Sequence, residues 1–316
     1  MSIQEKKLEF EKDLKSKVYE SVKLTFKGID GYDVYNCSIP FEWKGETYIF
    51  GRVEKREIWA TSLAYLFKKT GKDEFTRVPD HMVYQLEDPY IALIQGEVTL
   101  GGTHVRKRCG EIDTFYGYFY RGRELDGLNY FTTGPDRMKD IRLVDLKNGR
   151  IGVFSRPRSK EIEEKYGSAS MIGYAEIGSL DELTDGVILN ARPIEGIFDK
   201  GEWGGCNQAY LLANGHIGII GHQSFTQKEE SGPELAVYLN VAFEFDPVAF
   251  VVSGMKIIGT RKCYPAGPCK LPNLADCTFT SGIVLRGDGK ADLYGGLGDT
   301  EEGRIVIDYP FSAPIV

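Results

Sequence analysis

A strand, a tight turn ending in glycine and a second strand running into small residues recur five times along the chain. The units occupy residues 41–51, 91–102, 142–155, 209–221 and 282–296, with turn glycines at Gly45, Gly96, Gly149, Gly215 and Gly289. Those glycines stand about 50 to 75 residues apart, the spacing of a repeat architecture. Asn148-Gly149, Asn214-Gly215 and Asp288-Gly289 are expected as two-residue hairpin turns, because such turns need φ > 0. Each unit reads as a small antiparallel sheet that cannot bury both faces alone. Five of them stacked around an axis make an all-β, five-bladed β-propeller with a central channel. An irregular β-sandwich is the competing arrangement. In a propeller the innermost strands and their loops face the channel. A site there is assembled from residues distant in sequence but equivalent in each repeat.

Composition supports this reading. Tyr (18) and Phe (17) are abundant, as strands favour, and 37 glycines supply many turns. The net charge of −7 argues against a general nucleic-acid binder, which would carry a basic stripe. No run approaches the length of a membrane-spanning helix, and residues 1–8 lack an apolar signal core, so the chain reads as cytoplasmic. The six cysteines include no Cys-x-x-Cys pair and the four histidines are scattered, so free thiols and no metal site are expected. Residues 4–20 carry Leu8, Phe10, Leu14 and Val18 at helical spacing, which predicts an amphipathic helix. The domain division is then 1–20 as a helical extension and 21–316 as a single catalytic propeller. The helix either packs on the outside of the propeller or joins subunits, which leaves a homo-oligomer open. Residues 159–167 read as a polar loop or short helix between repeats, and 226–233 as an exposed loop.

Chemistry-bearing residues flank the hairpins. Glu87-Asp88-Pro89-Tyr90 precedes the second. Adjacent residues of a strand point to opposite faces, so one carboxylate alone should face the channel. Pro89 removes a ladder donor, which suits an inner edge strand. The third unit is bracketed by Asp136-Arg137-Met138-Lys139-Asp140 and Ser155-Arg156-Pro157-Arg158. Arginine grips phosphate through two parallel hydrogen bonds, so these cations would make an anion site if they converge. The fourth unit is entered through Lys200, Gly204, Gly205 and Asn207, and followed by His222 and then Tyr238. The two glycines permit close approach of a ligand or another backbone. The fifth lies between Asp276 and Asp299.

Taken together these segments resemble the propellers of glycoside hydrolase family 130, the β-mannoside phosphorylases. They are still more similar to the mannosyltransferase/phosphorylase proteins of glycosyltransferase family 108 and their uncharacterised bacterial homologues. The resemblance runs from Asp33-Val-Tyr-Asn36 to Asp299. Glu87-Asp88-Pro89-Tyr90 stands where family 130 has Glu-Asp-Pro-Arg. Lys139-Asp140, Asn148-Gly149, Arg156-Pro157, the 200–205 segment, Ile220-Gly221-His222 and Tyr294–Asp299 follow in the family's order. The resemblance implies that Asp88 is the general acid, protonating the sugar's 3-hydroxyl, which relays a proton to the glycosidic oxygen. It implies that Arg137, Arg156, Lys200, His222 and Tyr238 hold phosphate. Glu87, Lys139, Asp140, Asn207, Asp276 and Asp299 would bind substrate. The implied activity is inverting phosphorolysis of β-mannosides, β-1,2-oligomannosides in particular, to α-mannose 1-phosphate. Inorganic phosphate is then a co-substrate and no cofactor is needed. One acid opposite a cationic cluster fits that chemistry, because phosphate needs charge neutralisation and placement rather than a base. A GDP-mannose-dependent mannosyltransferase, a plain β-glycosidase and a non-catalytic carbohydrate-binding propeller are the alternatives.

Overall fold

The computed structural model describes residues 1–228 and 232–316. Five sheets, antiparallel apart from one added strand, form the five blades of a propeller. Blades 2 to 4 are simple meanders whose first strand lies innermost: Glu87–Ile94, Arg142–Asp145 and Glu202–Leu211. In blade 5 the strands Thr278–Leu285, Lys290–Leu297 and Glu301–Asp308 are completed by Glu20–Lys23 from the other end of the chain, which pairs antiparallel with Glu301–Asp308. That exchange closes the ring. Blade 1 has a divided inner edge, since Asp33–Tyr35 and Phe41–Trp43 both pair with Glu46–Glu54. Its outermost strand, Thr25–Lys27, is added in parallel.

The core lies between blades rather than inside any one of them. Phe154 and Tyr174 of blade 3 pack against Phe243 and Phe245 of blade 4. Tyr90 and Phe119 of blade 2 meet Leu143, Ile151 and Val153 of blade 3. Tyr90 is also a tie: its hydroxyl donates to the Leu143 carbonyl (3.3 Å) and accepts from the Leu143 amide (2.9 Å). The Arg142 guanidinium lies over its ring at 4.9 Å.

The turns divide into two kinds. Lys44-Gly45 and Gln95-Gly96 are two-residue turns with positive φ at both positions. At Gly149, Gly215 and Gly289 the turn is one residue longer than expected. Leu146, Leu212 and Arg286 each donate to the carbonyl four residues on, and among the central residues only the glycine has positive φ. Asn148, Asn214 and Asp288 instead accept from the amide two residues ahead. That side-chain bond leaves the left-handed residue to the glycine, as in three-residue hairpin loops.

The N-terminal helix α1 spans Ile3–Glu11 and is shorter than residues 4–20. Ser2 caps it in a box with Glu5. Beyond Glu11 the Asp13 side chain accepts from the Ser16 amide, a turn that competes with helix. Phe10, Leu14 and Val18 then pack on the blade 5 core, while Leu8 is exposed. The helix Lys160–Tyr166, capped by Ser159 and ended by left-handed Gly167, lies inside blade 3 and not between repeats. The strand Ile217–Gln227 takes the first residues of the expected 226–233 loop, and residues 229–231 of that loop fall outside the described residues. All six cysteines are unpaired, and four of them are buried. Among the described residues no helix is long and apolar enough to cross a membrane.

Candidate active site

A cavity of about 510 Å³ opens at one mouth of the channel. It is lined by Asn36, Arg52, Glu87, Asp88, Lys139, Arg156, Arg158, Trp203, His222, Tyr238 and Asp299, with Trp59, Leu271, Asn273 and Leu274 at its sides. Every blade contributes.

Asp88 reaches the cavity through a distortion of its strand. The register with the next strand slips between Glu87 and Tyr90, so Asp88 and Pro89 together oppose Gly102. Asp88 has φ +49°. A Cβ on Gly102 would stand 2.8 Å from the Glu87 carbonyl oxygen, so the bulge requires glycine there. Strand alternation is lost, and Glu87 and Asp88 both line the cavity rather than one of them. Arg52 holds the pair: Nη1 donates to Asp88 Oδ1 at 2.8 Å and Nη2 to Glu87 Oε1 at 3.0 Å. Its guanidinium also lies over the Tyr35 ring at 4.7 Å. Asn36 Nδ2 donates to Asp88 Oδ1 (3.0 Å) and to Asp299 Oδ1 (3.2 Å). Lys139 Nζ stands 3.8 Å from Asp88 Oδ2.

Asn36, Asp88, Arg137, Asp140 and Asp299 all have left-handed backbone, a conformation that costs non-glycine residues energy and gathers at functional sites.

The carboxyls are driven apart electrostatically. Burial raises the Asp88 carboxyl, but Arg52 and Lys139 outweigh it and hold it below its ordinary value. Burial dominates for Glu87 and Asp299, which both rise despite Arg52. Lys139 is lowered by burial and raised more by Asp88, Asp140 and Glu87, so it stays charged.

A cationic group occupies the cavity beside blade 3. Arg156 Nη1 donates to Asp140 Oδ2 at 2.6 Å and Nε to Ser170 Oγ at 3.1 Å, while Nη2 has no hydrogen-bond partner among the described residues. Asp140 is fully buried, and Arg156, then Lys139 and Arg142, overcome that burial to hold its carboxyl far below the usual range. Arg158 is exposed at the cavity edge, and partial desolvation and then Arg156 lower it, the condition of a cation crowded by cations. Such a cluster has its charge balanced when an anion enters.

His222 carries no charge. Burial, then Arg156, depress it to about 3. Nδ1 and Asn207 Oδ1 are 2.7 Å apart, so the ring's proton is assigned to Nδ1, leaving Nε2 as an acceptor with no protein partner among the described residues. The ring stacks on Tyr238 and meets Phe279. Trp203 Nε1 donates to the Tyr238 hydroxyl at 3.4 Å. Gly204 serves backbone packing, since a Cβ there would come 2.2 Å from the His222 carbonyl oxygen.

Of the residues singled out in the sequence, Glu87, Asp88, Lys139, Arg156, His222, Tyr238 and Asp299 come together. Asp140 and Asn207 lie behind Arg156 and His222 and orient them rather than lining the cavity. Arg137 and Lys200 are exposed and do not line it. Asp276 is turned away, paired with Lys7 of α1 at 2.9 Å. Arg158 was expected only as one of the cations beside the third hairpin and Asn36 only as the start of the resemblance, while Arg52 carried no expectation at all. Arg52 occupies the same place after its hairpin as Arg156 and His222 do after theirs, one residue past the end of the first unit at Gly51. Among the described residues no cluster of His, Cys, Asp or Glu is arranged to hold a metal ion.

The family model described as a protein of unknown function, DUF1861, matches residues 9–313. Among solved structures, the mannose phosphorylase MPT-4 of Leishmania mexicana, in complex with a phosphate ion, is 54% identical with TM-score 0.93, covering 99% of this chain and 96% of its own. The GDP-Man-dependent mannosyltransferase MPT-1 of the same organism is 45% identical with TM-score 0.92, covering 100% and 97%. The β-1,2-mannobiose phosphorylase of Listeria innocua is 15% identical with TM-score 0.61, covering 88% and 91%, and shares the fold. A search of curated proteins gave no match.

Proposed function

The chain belongs to the DUF1861 family and to that of the Leishmania mannose phosphorylase and mannosyltransferase, and from that premise we propose that it is a mannoside phosphorylase. Lys139, Arg156 and Arg158 in one cavity with the Arg52-held Asp88 carry this reading. Phosphate seated on those cations attacks C1 of a β-mannoside from the face opposite the leaving oxygen. The C1–O bond to the leaving sugar breaks and α-mannose 1-phosphate forms. The proton for the leaving oxygen comes from Asp88, relayed through the 3-hydroxyl, and β-1,2-linked oligomannosides are the proposed substrates. Neutral His222 accepts a hydrogen bond at Nε2 from a sugar hydroxyl or a protonated phosphate oxygen. Asp88 and Asp299 accept from the same Asn36 amide, at 3.0 and 3.2 Å. Phosphate is already a nucleophile and needs neither of them as a base to activate water.

The test is incubation with β-1,2-oligomannosides, with and without phosphate, scored for mannose 1-phosphate. Free mannose released equally well without phosphate would make the chain a plain glycosidase. Binding without turnover would make it a carbohydrate-binding propeller. A second reading, transfer from GDP-mannose, is favoured by the 45% identity to MPT-1. The same cations would then hold the leaving diphosphate, and GDP release in the presence of an acceptor distinguishes it.

A further inference from the structure

Helix α1 is joined to the cavity by charge. Ile3 and Lys7, one turn apart, form its buried face, and Ile3 enters the blade 4 core with Phe225, Val237 and Leu239. Lys7 is only 6% exposed, an unusual place for a lysine. Its ammonium lies 3.2 Å from Glu11 Oε1 and 2.9 Å from Asp276 Oδ2. Glu11 is in turn held by Lys262 at 2.7 Å. Asp276 lies in the 271–277 segment that walls one side of the cavity. Leu271, Asn273, Leu274 and Cys277 all line it. The Asp276 carbonyl accepts from the amide of Tyr238, the residue that stacks on His222. At its other edge the wall is bonded to the residue before Asp299, through Lys270 N to Gly298 O (2.8 Å) and Gly298 N to Cys277 O (3.1 Å).

We infer that α1 belongs to the substrate-binding apparatus: Lys7, through Asp276, is a positioning residue that fixes the 271–277 wall against the bound sugar. The wall carries no cation of the phosphate group and offers Asn273 and apolar side chains, so it serves the sugar and not the anion. The placement of the wall is independent of the phosphorylase reading, but the kinetic consequence rests on it. A buried ion pair broken on one side leaves its partner uncompensated, and a displaced wall loses its fit to the substrate.

The experiment compares Lys7→Met, Lys7→Arg and the unaltered protein by phosphorolysis kinetics and by amide hydrogen exchange. Lys7→Met should raise the sugar KM on the order of tenfold, the equivalent of one lost contact. The phosphate KM and kcat should stay within about twofold, and Lys7→Arg should recover most of the loss. Amides of 270–277 should exchange faster in Lys7→Met, while those of blade 2 keep their protection. An unchanged sugar KM, or sugar and phosphate constants worsening together with a fall in Tm, would overturn the inference. If the unaltered protein shows no phosphorolysis, the functional reading fails. Hydrogen exchange then decides this one alone, and unaltered protection of 270–277 in Lys7→Met overturns it.

Discussion

Arg158→Ala tests the anion clamp most directly. Arg158 lines the cavity and makes no ion pair among the described residues; its packing partner is the Phe115 ring, 5.7 Å away. Removing it strands no buried partner, so stability should move by no more than about 0.5–1 kcal/mol. A hydrogen bond to a charged group is worth roughly 1.5–3 kcal/mol, so the phosphate KM should rise roughly 10- to 150-fold. Arg156→Ala is a poorer probe, because Asp140 would be left fully buried without its hydrogen-bonded cation, keeping only Arg142 at 3.9 Å and the more distant charge of Lys139. An uncompensated buried charge costs about 3–5 kcal/mol, so that variant should unfold early, and adding Asp140→Asn should rescue the fold without the activity. Initial rates of mannose 1-phosphate release against phosphate concentration, with thermal melts of each variant, decide the matter. A phosphate KM in Arg158→Ala within twofold of the unaltered value would refute the clamp.

Asp88→Asn should cut kcat by roughly 100- to 10,000-fold, the span for losing a general acid, and near-normal turnover would remove Asp88 from the mechanism. His222, depressed to about 3, should stay neutral with its proton on Nδ1 throughout the working range; an NMR midpoint close to the ordinary value of about 6.5 would contradict the assignment. Glu302 sits buried, accepting from the Cys37 amide and the Ser281 hydroxyl, and burial pushes it up to about 8. Its folded value lies above its unfolded one, so folding takes up a proton. The stability it lends is full below the ordinary carboxyl value and is lost as pH rises towards about 8, at up to about 1.4 kcal/mol per unit. Tm should therefore fall across that window in the unaltered protein and fall less in Glu302→Gln; parallel slopes would show that other groups set the dependence.

The five-sheet wheel was legible because its signals are local. In every unit the turn glycine and its two strands lie within one short stretch of sequence. The strand that closes the ring was not legible: Glu20–Lys23 pairs with residues more than 270 positions away and carries no turn signal of its own. The helix overran for a related reason. Phe10, Leu14 and Val18 do have helical spacing, but beyond Glu11 Leu14 and Val18 are half-buried by a non-helical chain wound over blade 5. At the site, sequence order located the right segments and misjudged orientations. Asp276 and Asp299 flank the same hairpin, yet one faces α1 and the other the channel. Glu87 and Asp88 both face inward because a bulge, set by contact with Gly102, cancels the alternation that the sequence suggests.

The same bulge creates a problem that substrate itself can resolve. Asp88 must carry a proton to act as an acid, yet Arg52, Asn36 and Lys139 hold it ionised. Arg52 cannot be the adjustable element, since Glu87 and the Tyr35 ring fix it. Lys139 can: it stands between Asp88 and the Arg156–Asp140 pair and faces the cavity. An anion seated on Lys139, Arg156 and Arg158 would cancel part of the positive field at Asp88 and add negative charge beside it, and both changes raise its proton affinity. Phosphate would then be nucleophile and trigger together, and an empty site would lack its acid.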